Sequence, residues 1–230
     1  MVKERLRLQK NLMNKMLSIS LVSDKDSWIN NYISKFIGKI AEDKHFVSWE
    51  HDIQKVQHGD ICFLLGCGQL MSKKVMSRNK INLVIHESAV PSGKGWSPLT
   101  WQILEGKNRI PITLLEVADK VDSGKIYLQD EMVFEGHELI DELRAVQANH
   151  TFKLCGEFID KFPFILEKGK VQEGKSSFYK KREPEDSEID IENTISESFN
   201  LLRTVDNKRY PAFFSIKGKK YKLQIERYRK

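Results

Sequence analysis

Short apolar segments that end at glycine or polar residues constrain the fold of this chain most. Residues 60–66 and 81–86 are compact runs of this kind, and residues 17–22 alternate between apolar and polar types. Such runs are typical of strands buried in a parallel sheet. Residues 28–40 and 72–77 lie between the runs and predict one amphipathic and one short helix. Strands that alternate with helices predict an α/β fold with a doubly wound, mostly parallel sheet.

The rest of the chain predicts two more strands, a long helix and a small C-terminal element. Residues 112–116 and 125–129 have strand composition on either side of an Asp-Ser-Gly turn, and residues 138–162 place apolar side chains at helical spacing. Residues 195–205 predict a final helix, and a Lys-Gly turn at 217–218 predicts a terminal β-hairpin.

A polar segment separates the predicted main domain from this C-terminal element. Residues 166–194 are rich in charge around Pro184, which predicts a mobile polar linker. A chain of 230 residues fits one large domain with an appendage. We therefore expect an N-terminal extension at 1–15 that packs poorly or serves self-association, a main domain at 16–165, the linker, and the C-terminal element at 195–230.

Charge and cysteine content limit the classes of function. The chain has 38 Lys and Arg residues against 32 Asp and Glu, a net charge of +6 that suits an anionic partner but does not establish nucleic-acid binding. Three cysteines without Cys-x-x-Cys spacing argue against a disulfide framework and predict a reducing, cytoplasmic compartment. No apolar run approaches the ~20 residues of a membrane span, and the histidines lack metal-ligand spacing, so we expect neither a membrane segment nor a metal.

Three features at the ends of predicted strands are candidates for a functional site. The Gly-Cys-Gly segment at 66–68 matches part of a dinucleotide-binding fingerprint, but Met71 replaces its third glycine, so a tight turn lining a cleft is the alternative. His86 ends a strand and opens a polar loop, where a histidine is either catalytic or hydrogen-bonded within the structure. Asp122 lies in the Asp-Ser-Gly turn, where a carboxylate often bonds nearby backbone.

Three motifs follow one another in a recognisable order. They are a His-x-Ser-x-x-Pro element at 86–91, a Lys-Gly-x-x-Pro element at 94–98 and an Asp-x-Gly turn at 122–124. Their order resembles the folate-dependent formyltransferases, a family that includes glycinamide ribonucleotide, methionyl-tRNA and sugar N-formyltransferases. The resemblance covers residues 60–160 and extends to the N-terminal strand. It implies a Rossmann-like core that takes 10-formyltetrahydrofolate as its co-substrate.

The resemblance implies a catalytic Asn, His and Asp at the carboxyl ends of the strands. His86 and Asp122 match the last two, with the histidine as donor to an oxyanion and the aspartate as acceptor of the amine proton. The family's asparagine lies two residues before the histidine, where this chain has Val84, and Asn82 lies about 7 Å further along the strand. We expect either a bulge that makes Asn82 the third catalytic residue, or a backbone N–H or a water in its place.

The resemblance also implies two sets of binding residues. The pterin of 10-formyltetrahydrofolate would be bound, largely through backbone groups, by Gln69, Leu70, Met71, Val117, Ala118 and Asp119. Core packing is the alternative for the two apolar residues of the first segment. The acceptor would be bound by Ser88, Lys94, Gly95 and Trp96. The indole of Trp96 offers a flat face on which a sugar or a base can stack.

The family resemblance leaves the amine acceptor open. The C-terminal segment is shorter than the RNA-binding barrel of the tRNA enzymes and continues past the usual end of the glycinamide ribonucleotide enzymes. We therefore expect an amino sugar, either nucleotide-linked or a nonulosonic acid, for a bacterial surface glycan, with no nucleic-acid or membrane partner. A homodimer through the hairpin is one possibility. Glycinamide ribonucleotide as acceptor and a non-catalytic folate-binding role are the alternatives.

Overall fold

A computed structural model describes residues 16–228, so the predicted N-terminal extension lies outside the described residues. Within that range we number ten strands: β1 (Ser18–Val22), β2 (Phe46–Glu50), β3 (Gly59–Leu64), β4 (Asn79–His86), β5 (Lys94–Gly95), β6 (Arg109–Glu116), β7 (Ile126–Val133), β8 (Phe178–Tyr179), β9 (Ala212–Ile216) and β10 (Lys219–Leu223). The α-helices of the same range are α1 (Asn30–Glu42), α2 (Lys73–Met76), α3 (Pro98–Leu104), α4 (Ile140–Lys161) and α5 (Ile195–Thr204). Between residues 16 and 228, no helix combines the length and the apolar character needed to cross a membrane.

Six strands form one sheet in the order β2-β1-β3-β4-β6-β7. The first four pair in parallel, whereas β6 is antiparallel to both β4 and β7. All strands of this sheet except β6 therefore run in one direction, which confirms the predicted α/β fold with a mostly parallel sheet. The carboxyl ends of β1, β3, β4 and β7 lie along one side of the sheet, which we call the carboxyl edge.

Alternate residues of the central strands contact two separate apolar clusters. Phe63 and Leu83 belong to a large cluster that also takes in the apolar side chains of α1 and α4. Leu64 and, half-buried, Val84 belong to a smaller cluster on the opposite face of the sheet. Since side chains alternate along a strand, His86 points to the face of the smaller cluster. The site is therefore built at the carboxyl edge on this second face.

The helix α5 and the hairpin β9–β10 form the predicted C-terminal element. The Thr194 hydroxyl accepts from the backbone N–H of Glu197, whose carboxylate accepts from the N–H of Thr194, so a reciprocal cap starts α5. Arg203, which is 1% exposed, pairs with Glu138 at 3.3 Å and donates to Asn108 at 2.6 Å. These buried polar contacts attach the C-terminal element to the main domain.

The expectation of a mobile linker is wrong for the middle of residues 166–194. The strand Phe178–Tyr179 pairs in parallel with Lys94–Gly95, and Lys170 forms an antiparallel bridge with Ile126. The composition of the segment is polar because most of its side chains are exposed. Its backbone groups nevertheless pair with the main domain, and composition alone carries no signal of such pairing.

Candidate active site

His86 lies at the carboxyl end of β4 and is 5% exposed. Its Nε2 lies 2.8 Å from the carbonyl oxygen of Gly93, so the Nε2–H donates to that carbonyl. Its Nδ1 lies 3.6 Å from Oδ1 of Asp122, a separation beyond hydrogen-bond length. The structure thus brings together the two side chains that the sequence indicates as catalytic, and it leaves a gap between them.

The turn after β6 fixes the carboxylate of Asp122. Its Oδ2 accepts from the backbone N–H of Gly95 at 2.9 Å, and its φ of 52° is in the left-handed region. Gly124 approaches the backbone of β6 so closely that a Cβ there would lie 1.8 Å from the carbonyl oxygen of Glu116. Only glycine fits this position, which explains the Asp-x-Gly pattern. The closed turn directs the carboxylate of Asp122 towards His86.

The gap between the imidazole and the carboxylate can hold a reacting atom. Two atoms that lie 3.6 Å apart can both be within about 3 Å of a third atom, the distance that proton transfer requires. Because Nε2 of His86 is bonded to Gly93, Nδ1 is the ring atom that faces the gap. With the ring protonated, the pair presents one donor and one acceptor to the same point.

Glu87 is a second carboxyl group beside the pair, and the sequence analysis missed it. Its Oε1 accepts from Nε2 of Gln147 on α4 at 2.6 Å, and its carbonyl accepts from Gln102 on α3 at 2.6 Å. Burial raises the pKa of Glu87 above its ordinary value, although the neighbouring His86 and Gln147 act in the opposite direction. The available signal was its position directly after the histidine of the first motif.

The bulge that would bring Asn82 to the catalytic pair is absent from β4. The strand keeps a regular parallel register with β3 from Ile81 to Val84. The side-chain amide of Asn82 donates to the carbonyl of Met76 at the end of α2, at 2.9 Å. Val84 occupies the position of the family's asparagine and contacts the smaller apolar cluster. The geometry therefore gives Asn82 no place beside His86.

The two segments that the sequence assigns to the pterin meet at the smaller cluster. Met71 and Val117 both contact that cluster. Lys73, just after the first segment, pairs with Asp119 of the second at 3.1 Å. Leu70 is 77% exposed, so core packing, the alternative considered for it, is wrong. The two segments thus lie side by side over the smaller cluster, and we call the surface that they share the groove.

Gln69 and Ala118 complete these segments in different ways. The side chain of Gln69 donates to the carboxylate of Asp24 and to the carbonyl of His51, and accepts from the N–H of Ile53. Its side-chain amide is therefore engaged within the fold, and its backbone N–H bonds to the sulfur of Cys67. Ala118 is half-buried between Val117 and Asp119.

The donor set of this groove suits a flat ring with polar edges. Oδ1 of Asn82 is buried and has no hydrogen-bond partner among the described residues, so it is an unused acceptor. The backbone of Asn82 lies next to the groove, because its carbonyl accepts from the N–H of Val117 at 2.8 Å. A buried acceptor without a partner is costly, and a ligand N–H would relieve that cost. The residues present therefore fit a pterin.

The residues predicted to bind the acceptor all lie in the segment that follows β4, some of them in its outer loop and one beneath that loop. Ser88 is 2% exposed and lies under Gly93, where a Cβ would come within 3.0 Å of the Ser88 side chain. The loop covers Ser88, and its Oγ is buried without a hydrogen-bond partner among the described residues, so its role in binding an acceptor stays a prediction. Lys94 is 7% exposed, and the described residues provide no carboxylate partner for its ammonium. Gly95 contributes its N–H to Asp122.

Trp96 reaches from this loop to the turn after β3. It is 47% exposed, and its ring edge lies where a Cβ on Gly68 would be 3.3 Å away. The ammonium of Lys181 lies 5.0 Å from the ring centroid. The N–H of Gly68 donates to the carboxylate of Asp24 at 2.8 Å, which ties the Gly-Cys-Gly turn to the segment after β1.

No metal site accompanies these residues in the part of the chain from 16 to 228. In that range, no three His, Cys, Asp or Glu side chains are grouped as a metal ion would require. The candidate site therefore consists of an imidazole, carboxylates, backbone groups and an apolar groove.

Many α/β proteins with a mostly parallel sheet bind their ligands at the carboxyl ends of the strands. The His86–Asp122 pair at the carboxyl edge places this chain in that class. Within that class, the model of the formyl transferase family matches residues 41–151. This match covers just under half of the chain and agrees with the resemblance inferred from its motifs.

The curated relatives that match the chain are distant from it in sequence. A methionyl-tRNA formyltransferase of Mycoplasma capricolum is 24% identical over 166 residues, which cover 70% of this chain and 52% of that protein. The bifunctional polymyxin resistance protein ArnA of Wigglesworthia glossinidia brevipalpis is 27% identical over 162 residues, 68% of this chain and 24% of that protein. The chain thus spans about half the length of the first of these relatives.

Solved structures share the whole fold. A methionyl-tRNA formyltransferase from Clostridium thermocellum superposes with a TM-score of 0.75 at 19% identity, over 93% of this chain and 94% of that one. A 4-N formyltransferase from Francisella tularensis gives a TM-score of 0.68 at 20% identity, over 93% and 99% of the two chains. HypX from Aquifex aeolicus in complex with tetrahydrofolic acid gives 0.71 at 17% identity, over 92% and 38%. The first match gives no support to the expectation that length excludes a tRNA acceptor.

Proposed function

We propose that this chain transfers a formyl group from 10-formyltetrahydrofolate to a primary amine. The observation that carries the proposal is the His86–Asp122 pair, whose facing atoms lie 3.6 Å apart at the carboxyl edge. The groove between residues 69–71 and 117–119 would hold the pterin, and the co-substrate supplies the formyl group. We place the reaction in the cytoplasm, in keeping with the three free cysteines.

The chemistry follows from the two atoms of the pair that face each other, Nδ1 of His86 and Oδ1 of Asp122. The amine nitrogen attacks the formyl carbon, a C–N bond forms, and negative charge develops on the formyl oxygen. Nδ1–H of protonated His86 donates to that oxygen, while Oδ1 of Asp122 takes the proton that the amine loses, directly or through water. The bond from the formyl carbon to the folate nitrogen then breaks, and that nitrogen receives the proton. The products are the formylated amine and tetrahydrofolate.

For the acceptor we propose an amino sugar that carries an anionic group. Lys94 is 7% exposed and lies one residue from Gly95, whose N–H holds the catalytic carboxylate. Lys94 has no carboxylate partner among the described residues, so its charge would favour binding of a phosphate or carboxylate of the acceptor there. Half of the surface of Trp96 is exposed at the same loop and can pack against a sugar ring. A nucleotide-linked sugar or a nonulosonic acid meets both conditions.

An aminoacyl-tRNA is the second candidate acceptor, and two observations favour it. The first curated relatives are methionyl-tRNA formyltransferases. The strand β10 exposes three lysines, Lys219, Lys220 and Lys222, on the C-terminal hairpin. Lysines on one strand can contact phosphates along a nucleic-acid backbone.

The proposal is tested by following tetrahydrofolate release from 10-formyltetrahydrofolate with a panel of amines. The panel contains nucleotide-linked amino sugars, an amino nonulosonic acid, glycinamide ribonucleotide and methionyl-tRNA. We expect turnover with an anionic amino sugar, its loss in His86→Ala, and no change in His58→Ala, a matched control at an exposed histidine. Turnover with methionyl-tRNA alone would transfer the assignment to the second candidate. Folate binding without turnover on any amine, or full activity of His86→Ala, would overturn the catalytic assignment.

A further inference from the structure

We propose that residues 170–181, which we call the brace, position the catalytic pair, with Gln172 and Ser177 as positioning residues. This inference rests on the proposed function, because it assigns the brace to the same His86–Asp122 site. It reassigns to catalysis a segment whose composition indicates only a linker.

Gln172 holds the turn that carries the catalytic carboxylate. Its Nε2 donates to the backbone carbonyls of Asp122 and Gly124, both at 2.9 Å. Asp122 has a left-handed backbone conformation, with φ of 52°, which is unfavourable for a residue with a side chain and needs support from its surroundings. The bridge between Lys170 and Ile126 places Gln172 at this turn. One side chain of the brace thus supports the strained residue of the site.

Ser177 holds the loop that orients the catalytic imidazole. Its Oγ accepts from the N–H of Gly93 at 2.8 Å, and its carbonyl accepts from the N–H of Lys94 at 2.9 Å. Its own N–H donates to the carbonyl of Pro91 at 3.2 Å. The carbonyl of Gly93 is the acceptor for Nε2 of His86, so its position decides which ring nitrogen faces Asp122. Ser177 therefore acts on the imidazole through one peptide group.

The far end of the brace is attached to α3. The carbonyl of Tyr179 accepts from the N–H of Trp96 at 3.2 Å, and its ring stacks on Trp101 with centroids 6.3 Å apart. Gly95 touches this part of the brace directly, since a Cβ there would lie 2.4 Å from the carbonyl oxygen of Tyr179. The hydroxyl of Tyr179 also donates to Glu105 at 3.0 Å. These contacts make α3 the fixed support of the brace.

The brace connects the two halves of the catalytic pair. The histidine is oriented by a carbonyl of the 93–96 loop, and the aspartate by an N–H of that loop and by its own turn. These two loops are distant in sequence, and the brace bonds to both of them. Small displacements of reacting groups lower rates steeply, by about 10²-fold for roughly 1 Å. Loss of a brace contact should therefore lower kcat while leaving the binding surfaces in place.

The test uses Gln172→Leu, Ser177→Ala and the conservative Ser177→Thr, with Gln57→Leu and Ser196→Ala as matched controls at exposed sites. Each protein is assayed for kcat and for both KM values, for its melting temperature, and for the ¹⁵N shifts of the His86 ring. We expect kcat to fall about 10- to 100-fold in Gln172→Leu and Ser177→Ala, with KM values changed less than about threefold. We expect Ser177→Thr and the controls to stay within about threefold of the parent chain. The His86 signals should show Nε2 protonated and hydrogen-bonded in the parent chain and a shifted Nε2 signal in Ser177→Ala.

The following results would contradict the positioning role proposed for the brace. Unchanged kcat in both loss variants, with unchanged ¹⁵N shifts, would remove its positioning role. Equal loss in Ser177→Ala and Ser177→Thr would show that the hydroxyl is not what matters. If Ser177→Ala fails to fold, Gln172→Leu decides the question by the same kcat and KM readouts. If the parent chain shows no turnover, the proposed function fails, and the His86 ring signals still decide whether the brace orients the imidazole.

Discussion

The charge of Asp122 is the feature whose removal tests the proposed chemistry most directly. Asp122→Asn keeps the size of the side chain and an oxygen that accepts from the N–H of Gly95. The side-chain atom that faces His86 then carries no charge, whether it is the amide nitrogen or the amide oxygen. The fold of the turn should survive, because Gln172 bonds to its backbone carbonyls and not to the carboxylate.

The expected loss follows from the separation of the pair. Unit charges 3.6 Å apart attract each other by about 5 kcal/mol at an effective dielectric constant of about 20. If the imidazolium and the carboxylate must coexist in the transition state, loss of that attraction lowers kcat by about 10³-fold. An asparagine amide in this position carries no charge, so it favours the neutral ring over the imidazolium that donates to the formyl oxygen.

The measurement is single-turnover formyl transfer with saturating 10-formyltetrahydrofolate. Asp43→Asn, an exposed aspartate at the end of α1, is the matched control and should keep the parent rate. Fluorescence-monitored folate binding shows whether the variant retains its groove. A loss smaller than about tenfold in Asp122→Asn, with folate binding intact, would refute the role given to the ion pair.

Three further outcomes are expected. Because burial raises the pKa of Glu87, ionisation of this group disfavours the fold. The free energy of unfolding should therefore fall as pH rises above about 4.5. Glu87→Gln should flatten this pH dependence, as measured in urea titrations. Burial raises the pKa of Asp130, but hydrogen bonds from Lys153, the Glu131 N–H and His150 outweigh burial and lower that pKa to about 2. The stability that the ionised Asp130 contributes should therefore be lost as pH falls from about 4 towards 2. Asp130→Asn should not show this loss of stability. Trp96→Ala should raise the KM for the amine with little change in the KM for folate, measured by initial rates.

Each of these outcomes has a contrary result that would count against its reasoning. A parallel pH profile for the parent chain and Glu87→Gln would show that this carboxyl group is not the source of the slope. The same acid transition in Asp130→Asn as in the parent chain would assign it to other carboxylates. A KM for folate that rises as much as that for the amine in Trp96→Ala would place the indole at the groove and not at the acceptor.

The sheet was predictable because its strands are buried and short. The apolar runs at 60–66 and 81–86 became β3 and β4, and the alternation of side chains between two clusters explains their composition. The strand β7 extends to Val133, beyond the residue 129 that the sequence predicts. Its later part carries Glu131, whose side chain is exposed at the edge of the sheet, and Asp130, which points to the other face and pairs with His150 and Lys153 of α4.

The candidate site was predictable where a motif fixes backbone geometry, and not where contacts are distant in sequence. His86 and Asp122 meet because a strand end and a glycine-dependent turn determine their positions. The amide of Asn82 is engaged by the end of α2, which only the tertiary structure reveals. The bond between Gly93 and Ser177 joins residues 84 apart, so no local pattern indicates it.

That separation has a consequence for the order in which the protein matures during synthesis. A ribosome that adds about 5–20 residues per second needs roughly 4–17 s to travel the 84 residues between Gly93 and Ser177. From the addition of Asp122 onwards, the nascent chain carries both side chains of the proposed pair and five of the six strands of the central sheet, yet it lacks the segment proposed to align them. Under the positioning role proposed for the brace, chemical competence is therefore a late event, set by the arrival of residues 170–181 and not by that of the reacting groups.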